Sequence, residues 1–344
     1  MTINVARQNR WIDPCFDDMI RNETNLTLSI LDTNLSLAEA APLLETIDVY
    51  HLGASRSETP EQWHITEELL AKWPRLKVLS SMGAGYDILD VDACTRAGVL
   101  VVNQAGGNAN SVAEHTIGMM LTLAHRISEC DHVLRIHDRG VALPRETLMG
   151  NEVKGKTIGL IGIGHIGTRV AQIAQALGMT ILVSDPYVDP QEIERRGGQS
   201  VSFEELLNRS DIISVHCPRT QETVNLFDAQ AFAAMKQGAI FISTARGGIH
   251  DEAALYDTLD SKHLSGAGLD VWVHEPPPLD HPLLSLPNVL SSYHTAGVTH
   301  EGRENVARIG AEQIIAICRG QTPPRAINPE VLEHAQARLL KDGA

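Results

Sequence analysis

Three residues of this chain have the types and placements needed to move a proton beside a bound anion. Arg246 lies in Thr244-Ala245-Arg246-Gly247-Gly248, just past the apolar run Ile240–Ser243. Glu275 lies in Asp270-Val271-Trp272-Val273-His274-Glu275-Pro276, past the run 266–270, and His294 follows the run 289–292. Each run reads as a strand, and in an open α/β sheet ligands bind just beyond the C-terminal ends of the strands. A histidine can take or give a proton near neutral pH. A carboxylate beside it orients the imidazole and favours its protonated form. A guanidinium grips a carboxylate with two parallel hydrogen bonds and polarises the adjacent carbonyl. Taken singly, each has a plain structural use: a core or cap histidine, a loop charge before Pro276, Pro277 and Pro278, an arginine bonded to loop carbonyls. Their joint placement around a nucleotide fingerprint is what points to chemistry.

That fingerprint is Gly162-Ile163-Gly164-His165-Ile166-Gly167. It follows the run Thr157–Ile161 and opens a helical pattern over 166–177, and a second run over 180–183 ends at Ser184-Asp185. Strand, glycine turn, helix, strand and terminal acid is the context a dinucleotide-binding loop requires. The first glycine permits the tight turn, the second lets backbone approach a pyrophosphate, and the third lets helix and strand pack closely. The helix N-terminus offers N–H groups and a positive dipole end to phosphates. Asp185 lies 18 residues past Gly167, near the spacing of the acid that binds ribose hydroxyls. A carboxylate there repels a 2′-phosphate, and Pro186 and Tyr187 offer no cation to accept one. The expected cofactor is therefore NAD rather than NADP.

About 150 residues precede the loop, so a separate unit is built first. In it Leu26–Leu31, Val49–Leu52, Val78–Ser81 and 99–102 read as strands, with helices over Leu37–Leu44, 66–73 and 91–97 between them: a small α/β unit with a parallel sheet. Ser111-Val112-Ala113-Glu114 has the capping-box form and predicts a long helix to about residue 127. After Asp185 the alternation continues with strands over 212–216, 240–243, 266–270 and 289–292 and helices over 229–235 and 252–259. With the first two runs this makes six strands, the count of a doubly wound nucleotide domain. A last helix over 301–319 falls after that sheet is complete and is expected to return to the N-terminal unit. The expected domains are 1–103 plus 297–344 for substrate and 104–296 for nucleotide.

Composition narrows the partners. The 344 residues are 43% hydrophobic, enough for two ordinary cores. With 28 Lys and Arg against 43 Asp and Glu, the net charge is −15, which argues against nucleic acid or an anionic membrane. An anionic substrate must then be attracted locally, against the overall field. Cys15, Cys94, Cys130, Cys217 and Cys318 are scattered, with no CxxC, which suits a reducing cytoplasm and no thiolate metal site. The 15 histidines show no HExxH, and His294 and His300 straddle a predicted helix start, so no metal is expected. The first 14 residues lack a signal-peptide core, and no apolar run approaches a membrane span.

These residues, with Gly83-Ala84-Gly85-Tyr86-Asp87, Gly107-Asn108-Ala109-Asn110-Ser111-Val112-Ala113-Glu114, His216-Cys217-Pro218, Gly268-Leu269-Asp270-Val271 and His294-Thr295-Ala296-Gly297, resemble the D-isomer-specific 2-hydroxyacid dehydrogenase family from about Val49 to Pro329. The resemblance implies an α/β fold of two Rossmann-like, doubly wound parallel-sheet domains with a cleft between them. It implies NAD-dependent interconversion of a 2-oxo acid and a D-2-hydroxy acid, with His294 as acid/base, Glu275 as its partner and Arg246 as carboxylate anchor. It further implies that backbone near Met82, Gly83 and Ala84 holds the substrate carboxylate and that Asp270 faces the nicotinamide carboxamide. Pro218 and Thr223 would line the adenosine side, with Ser111, Val112, Thr244, Ala245 and Gly297 among the other cofactor contacts. A homodimer formed through the nucleotide domain and the 111–150 region is the family expectation.

The chain departs from the family pattern at Tyr293, where proline is frequent, at Arg219, usually apolar, and at Ser80-Ser81-Met82 before the glycine turn. These bear on the substrate rather than the reaction. Glu275 matches the hydroxyacid enzymes, whereas formate dehydrogenases of the superfamily carry glutamine there. The chain ends soon after the return helix, so a C-terminal regulatory domain is not expected. Arg56, in Ser55-Arg56-Ser57, is either a ligand for a substrate phosphate or sulfonate or a solvated loop cation. The competing functions are an NAD-sensing binding protein of the corepressor type and oxidation of a non-carbon acid such as phosphite.

Overall fold

The computed structural model describes residues 2–56, 58–136 and 144–341. The chain divides into two compact units, one of residues 1–108 with 298–344 and one of residues 109–297.

The first unit is a parallel sheet covered on both faces. Along the chain come β1 (Ile3–Gln8), α1 (Pro14–Arg21), β2 (Leu26–Leu31), α2 (Leu37–Leu44), β3 (Val49–Leu52), α3 (Glu67–Leu70), β4 (Val78–Ser81), α4 (Val91–Arg96) and β5 (Leu100–Val102). The sheet order is β2-β1-β3-β4-β5 with every pairing parallel. Alternation along each strand sends Ala6, Tyr50, Leu52, Leu79 and Val101 to one core and Val5, Val49, Val78, Leu100 and Val102 to the other. β1 and its place inside the sheet, between β2 and β3, are not evident from sequence, because Arg7 and Gln8 break the apolar pattern. Their polar groups are satisfied inside the fold: Arg7 Nε donates to Asp17 Oδ1 at 2.6 Å, and Gln8 Oε1 accepts from Gly53 N at 2.8 Å.

One buried charge cluster supports this sheet. Lys77 and Asp48 are both about fully buried and meet at 2.7 Å, with Arg75 on the same carboxylate at 3.1 Å and Asn4 N donating to Asp48 Oδ2 at 2.9 Å. Removing one partner of such a pair leaves a buried charge exposed to low dielectric. Asp48→Ala is expected to cost about 3–5 kcal/mol, read as a lower urea midpoint, while an unchanged midpoint would mean the pair contributes nothing.

The second unit holds α5 (Ala109–Ala124), α6 (Ile127–Ile136), β6 (Thr157–Ile161), α7 (His165–Ala176), β7 (Thr180–Ser184), α8 (Pro190–Arg195), β8 (Gln199–Ser200), α9 (Phe203–Arg209), β9 (Ile212–Val215), α10 (Ala229–Ala234), β10 (Ile240–Ser243), α11 (Glu252–Asp260), β11 (Gly266–Leu269) and β12 (Val289–Ser291). The sheet order is β12-β11-β10-β9-β6-β7-β8, all parallel, so the chain reverses direction between β6 and β9. That is the crevice where such sheets bind nucleotides. The sheet has seven strands rather than the six read from sequence. The extra β8 is a two-residue exposed edge with no apolar side chain to announce it.

Two helix expectations are corrected. α5 begins at Ala109, so Ser111 is its third residue, buried at 8% exposure, and not an N-cap; the glycine turn at Gly106, φ 90°, delivers the chain to the helix earlier. α5 also stops at Ala124 rather than near 127. Asn151 N donates to the Ala124 carbonyl at 2.7 Å, and Arg126 turns the chain at φ 56° into α6. Residues 137–143 of the expected 111–150 dimer region lie outside the described residues.

The chain then re-enters the first unit through α12 (His300–Cys318) and α13 (Leu332–Lys341). α12 packs on α1, placing Ala307, Ala311, Ile314 and Ile317 in the core with Phe16 and Ile20. No helix among the described residues is long and apolar enough to cross a membrane.

Candidate active site

Beyond the C-terminal ends of β11 and β12, one carboxylate organises a catalytic-looking turn. Asp270 is 1% exposed. Its Oδ1 accepts from Ser292 Oγ at 2.6 Å and Thr295 N at 2.8 Å, its Oδ2 accepts from Ala296 N at 3.0 Å, and its carbonyl accepts from His294 N at 2.8 Å. Those bonds hold residues 292–296 with His294 at φ 49°, a left-handed conformation that costs a non-glycine residue free energy and persists only where the surroundings impose it. Ser292 Oγ is in turn 3.0 Å from His115 Nε2 on α5. A carboxylate has about four acceptor positions, so Asp270 Oδ2 keeps room for one more donor, such as a carboxamide.

The turn presents His294 to Glu275. His294 Nδ1 lies 2.8 Å from Glu275 Oε2, with both side chains partly exposed, 31% and 18%. Glu275 is itself fixed, since its Oε1 accepts from Trp272 N at 3.1 Å and Trp272 Nε1 donates to the Ser292 carbonyl at 3.1 Å. With Nδ1 committed to the carboxylate, Nε2 is the ring atom left to meet a ligand. The loop of Arg246 is locked against the same segment. A Cβ on Gly247 would run into the Trp272 carbonyl, so only glycine permits this backbone approach. Arg246 is half-buried, and its Nη1 donates to the Ala245 carbonyl at 2.8 Å.

The nucleotide loop fits the group its sequence implies. Gly162 sits at φ 91°, and a Cβ there would press within 3.1 Å of the backbone of His216 and Cys217; a Cβ on Gly167 would collide with the Gly162 carbonyl. Both glycines are demanded by the protein's own packing. Gly164 is different, because a Cβ there would meet nothing within 4 Å. It caps α7 without any side-chain hydrogen bond, leaving the first N–H groups at His165, Ile166 and Gly167 to a ligand. Asp185, at the end of β7, accepts from Ile163 N at 2.9 Å and Tyr187 N at 3.1 Å, which aims the carboxylate and leaves lone pairs for ribose hydroxyls.

The remaining expected positions vary in character. Thr223 Oγ1 donates to the Pro218 carbonyl at 2.7 Å and accepts from Thr220 N at 2.7 Å, closing the loop that carries exposed Pro218. Thr244 is buried, 3.1 Å from Thr116 between hydroxyls, beside half-buried Ala245. Ser111 and Val112 are buried in α5, and Gly297 is half-buried. Arg219 lies over Gly248, its Nε 3.2 Å from where a Cβ would stand. In the first unit Met82 N donates to the Leu52 carbonyl at 2.7 Å and Gly83 N to Gln104 Oε1 at 2.8 Å. Both N–H groups are engaged; of the three expected positions, exposed Ala84 is the one whose N–H has no acceptor among the described residues. Arg56 is exposed, and its neighbour Ser57 lies outside the described residues. Sequence reasoning missed the support given by Ser292, His115 and Trp272, whose roles depend on bonds across distant elements. Among the described residues no three His, Cys, Asp or Glu side chains converge to hold a metal ion.

Buried histidines elsewhere are expected to make the fold acid-sensitive. His250 is fully buried against Phe241 with neither ring nitrogen bonded, and His51 is fully buried, stacked on Phe16. Burial pushes His250 down to about 4 and His51 down to about 3. Above the ordinary value of 6.5 both are neutral in either state. As the pH falls below it, the unfolded chain takes up protons the folded chain refuses, so stability is lost from about pH 6.5 down toward 4. Each group is expected to remove about 2 kcal/mol between pH 6.5 and 5. His250→Phe should flatten the fall in melting temperature over that range; an equally steep fall would refute the role of His250.

Comparison with known proteins identifies the family. The sequence profile of the D-isomer specific 2-hydroxyacid dehydrogenase NAD binding domain matches residues 117–296. A D-3-phosphoglycerate dehydrogenase of Archaeoglobus fulgidus is 39% identical over 87% of this chain and 55% of its own length, and the chain spans about half the length of the phosphoglycerate dehydrogenases it matches. A glyoxylate reductase of Korarchaeum cryptofilum is 36% identical over 78% of this chain and 81% of its own length. Among solved structures, the D-lactate dehydrogenase of Aquifex aeolicus complexed with NAD and lactic acid superposes with TM-score 0.80 at 28% identity, covering 94% of this chain and 99% of that one. The chain belongs to the D-isomer specific 2-hydroxyacid dehydrogenase family.

Proposed function

We propose that this chain interconverts a 2-oxo acid and a D-2-hydroxy acid, with NAD as its redox partner. The observation that carries the reading is the 2.8 Å contact between His294 Nδ1 and Glu275 Oε2, set on a turn pinned by Asp270 in a nucleotide-binding sheet.

When bound, the cofactor accepts or supplies the hydride. The protein manages the proton and the charge. In the reducing direction His294 gives a proton from Nε2 to the oxygen that was the carbonyl, and in the oxidising direction it takes that proton back. Glu275 holds the ring in one orientation through Nδ1 and balances the charge of the imidazolium. Arg246 binds the substrate carboxylate and draws electron density from the carbonyl beside it. The Ala84 N–H in the first unit is the proposed further donor to the carboxylate. Asp185, followed by Pro186 and Tyr187, supports NAD over NADP, because its carboxylate repels a 2′-phosphate.

The test is NADH consumption with glyoxylate, pyruvate, hydroxypyruvate, phosphohydroxypyruvate, oxaloacetate and sulfopyruvate, beside a second arm with NAD and phosphite. Turnover of at least one 2-oxo acid is expected. Tight NADH binding with turnover on none would overturn the proposal, and activity confined to phosphite would replace it.

A further inference from the structure

The glycines of β11 set where α5 can deliver a side chain. Gly266 and Gly268 alternate onto one face of the strand, and Asp270 follows on the same face. α5 packs across it: a Cβ on Gly266 would come within 3.2 Å of Leu123, and one on Gly268 within 3.1 Å of Met119. Leu123, Met119 and His115 are spaced four apart, on one face of the helix. Four helical residues advance about 6 Å and two strand residues about 6.6 Å, so the next pair in step is His115 with Asp270. His115 Nε2 indeed lies 3.9 Å from Asp270 Oδ1 and 3.0 Å from Ser292 Oγ. All these residues belong to the second unit.

The bonds fix the direction of each proton in this row. Both oxygens of Asp270 accept main-chain N–H groups, from Thr295 and Ala296, so the proton between Ser292 Oγ and Asp270 Oδ1, 2.6 Å apart, belongs to the hydroxyl. A serine has one such proton to give. Ser292 Oγ therefore accepts from His115, and His115 Nε2 carries a proton. Two neighbouring dipoles, N–H and O–H, point their positive ends at one buried carboxylate and polarise each other. The main-chain donors to Asp270 are common to any sequence, whereas the side-chain row of His115 and Ser292 is specific to these residues.

Asp270 also holds the turn of His294 through its carbonyl. In the reading above, His294 protonates the oxygen of the carbon that takes the hydride. Reacting atoms must approach to about 3–3.5 Å, so the nicotinamide end of the cofactor belongs beside this turn, in the field of Asp270. A nicotinamide ring is cationic when oxidised and neutral when reduced. A carboxylate favours the cationic form, and donors that offset its charge shift the balance toward the neutral one. We infer that His115 is a positioning residue that sets the balance between oxidised and reduced cofactor: it holds the Ser292 hydroxyl on Asp270 and tempers the charge the carboxylate presents. The inference rests on the dehydrogenase reading and deepens it.

The test measures dissociation constants in the absence of substrate, for NADH by fluorescence and for NAD by its displacement of NADH. His115→Phe keeps a flat ring and loses the donor. It should raise the ratio Kd(NADH)/Kd(NAD) by roughly 2- to 13-fold, the span of one neutral hydrogen bond. His115→Gln, whose amide N–H can donate to Ser292, should return the ratio toward the parent's. Ser292→Ala should raise the ratio by itself, which decides the matter if His115→Phe does not fold. Adding His115→Phe to Ser292→Ala should then change the ratio no further, because the row is already cut. An unchanged ratio in either single variant, affinity lost equally for both forms, or a full shift in the Ser292→Ala background would overturn the inference. Failure of the parent to bind either form would end the dehydrogenase reading. The donor row is read apart from the cofactor, by the nitrogen chemical shifts of the His115 ring: a proton on Nε2 supports it, and a ring protonated at Nδ1 alone refutes it.

Discussion

A His294→Gln variant will bind NADH as the parent does and turn over 2-oxo acids about 10²- to 10⁴-fold more slowly, the usual contribution of a positioned acid/base. Glutamine can keep a hydrogen bond toward Glu275 but has no ring nitrogen to deliver a proton. The effect should appear in kcat, because the role proposed for His294 is the proton step, and the hold on the carboxylate is proposed for Arg246. The measurement is steady-state turnover at saturating substrate with NADH affinity followed by fluorescence. Loss of NADH binding in the variant, or turnover within a few-fold of the parent, would remove His294 from this role.

Asp270→Ala is expected to damage both stability and catalysis. It strips the acceptors from Thr295 N, Ala296 N and Ser292 Oγ at once, and Ala296 is buried at 3% exposure. Buried donors left without partners cost about 1–3 kcal/mol each. The same bonds hold His294 at φ 49°, so their loss frees the turn to relax toward an ordinary conformation. A fall in melting temperature of roughly 5–15 °C is expected. At a temperature where circular dichroism shows the variant folded, kcat should still be at least about tenfold lower. That residual loss separates positioning of His294 from simple stability: a folded variant with the parent's kcat would leave Asp270 a purely structural role.

Much of this arrangement is legible in sequence, and the exceptions share a cause. The runs Leu26–Leu31, Val49–Leu52 and Val78–Ser81 appear as β2, β3 and β4 at the expected bounds, because buried parallel strands are nearly continuous apolar segments. The glycine loop falls between β6 and α7 because its dihedrals and close approaches are local requirements. β1 is hidden by Arg7 and Gln8, whose partners Asp17 and Gly53 are remote in sequence, and β8 by its exposure. The break of α5 at Ala124 depends on Asn151, whose hydrogen bond no helical pattern reveals. The site follows the same rule. Glu275 and His294 stand out as titratable residues past strand ends, while the hydrogen bonds of Asp270 to Ser292, Thr295 and Ala296 are products of the folded turn.

The most direct test of the central claim is the configuration of the product. The protein would be supplied with NADH and the 2-oxo acid it turns over fastest, and the hydroxy acid resolved by chiral chromatography against NADH consumed. The account predicts the D-enantiomer, one equivalent per NADH, with formation suppressed in His294→Gln. An L-product, or a D-product formed undiminished by the variant, would contradict it.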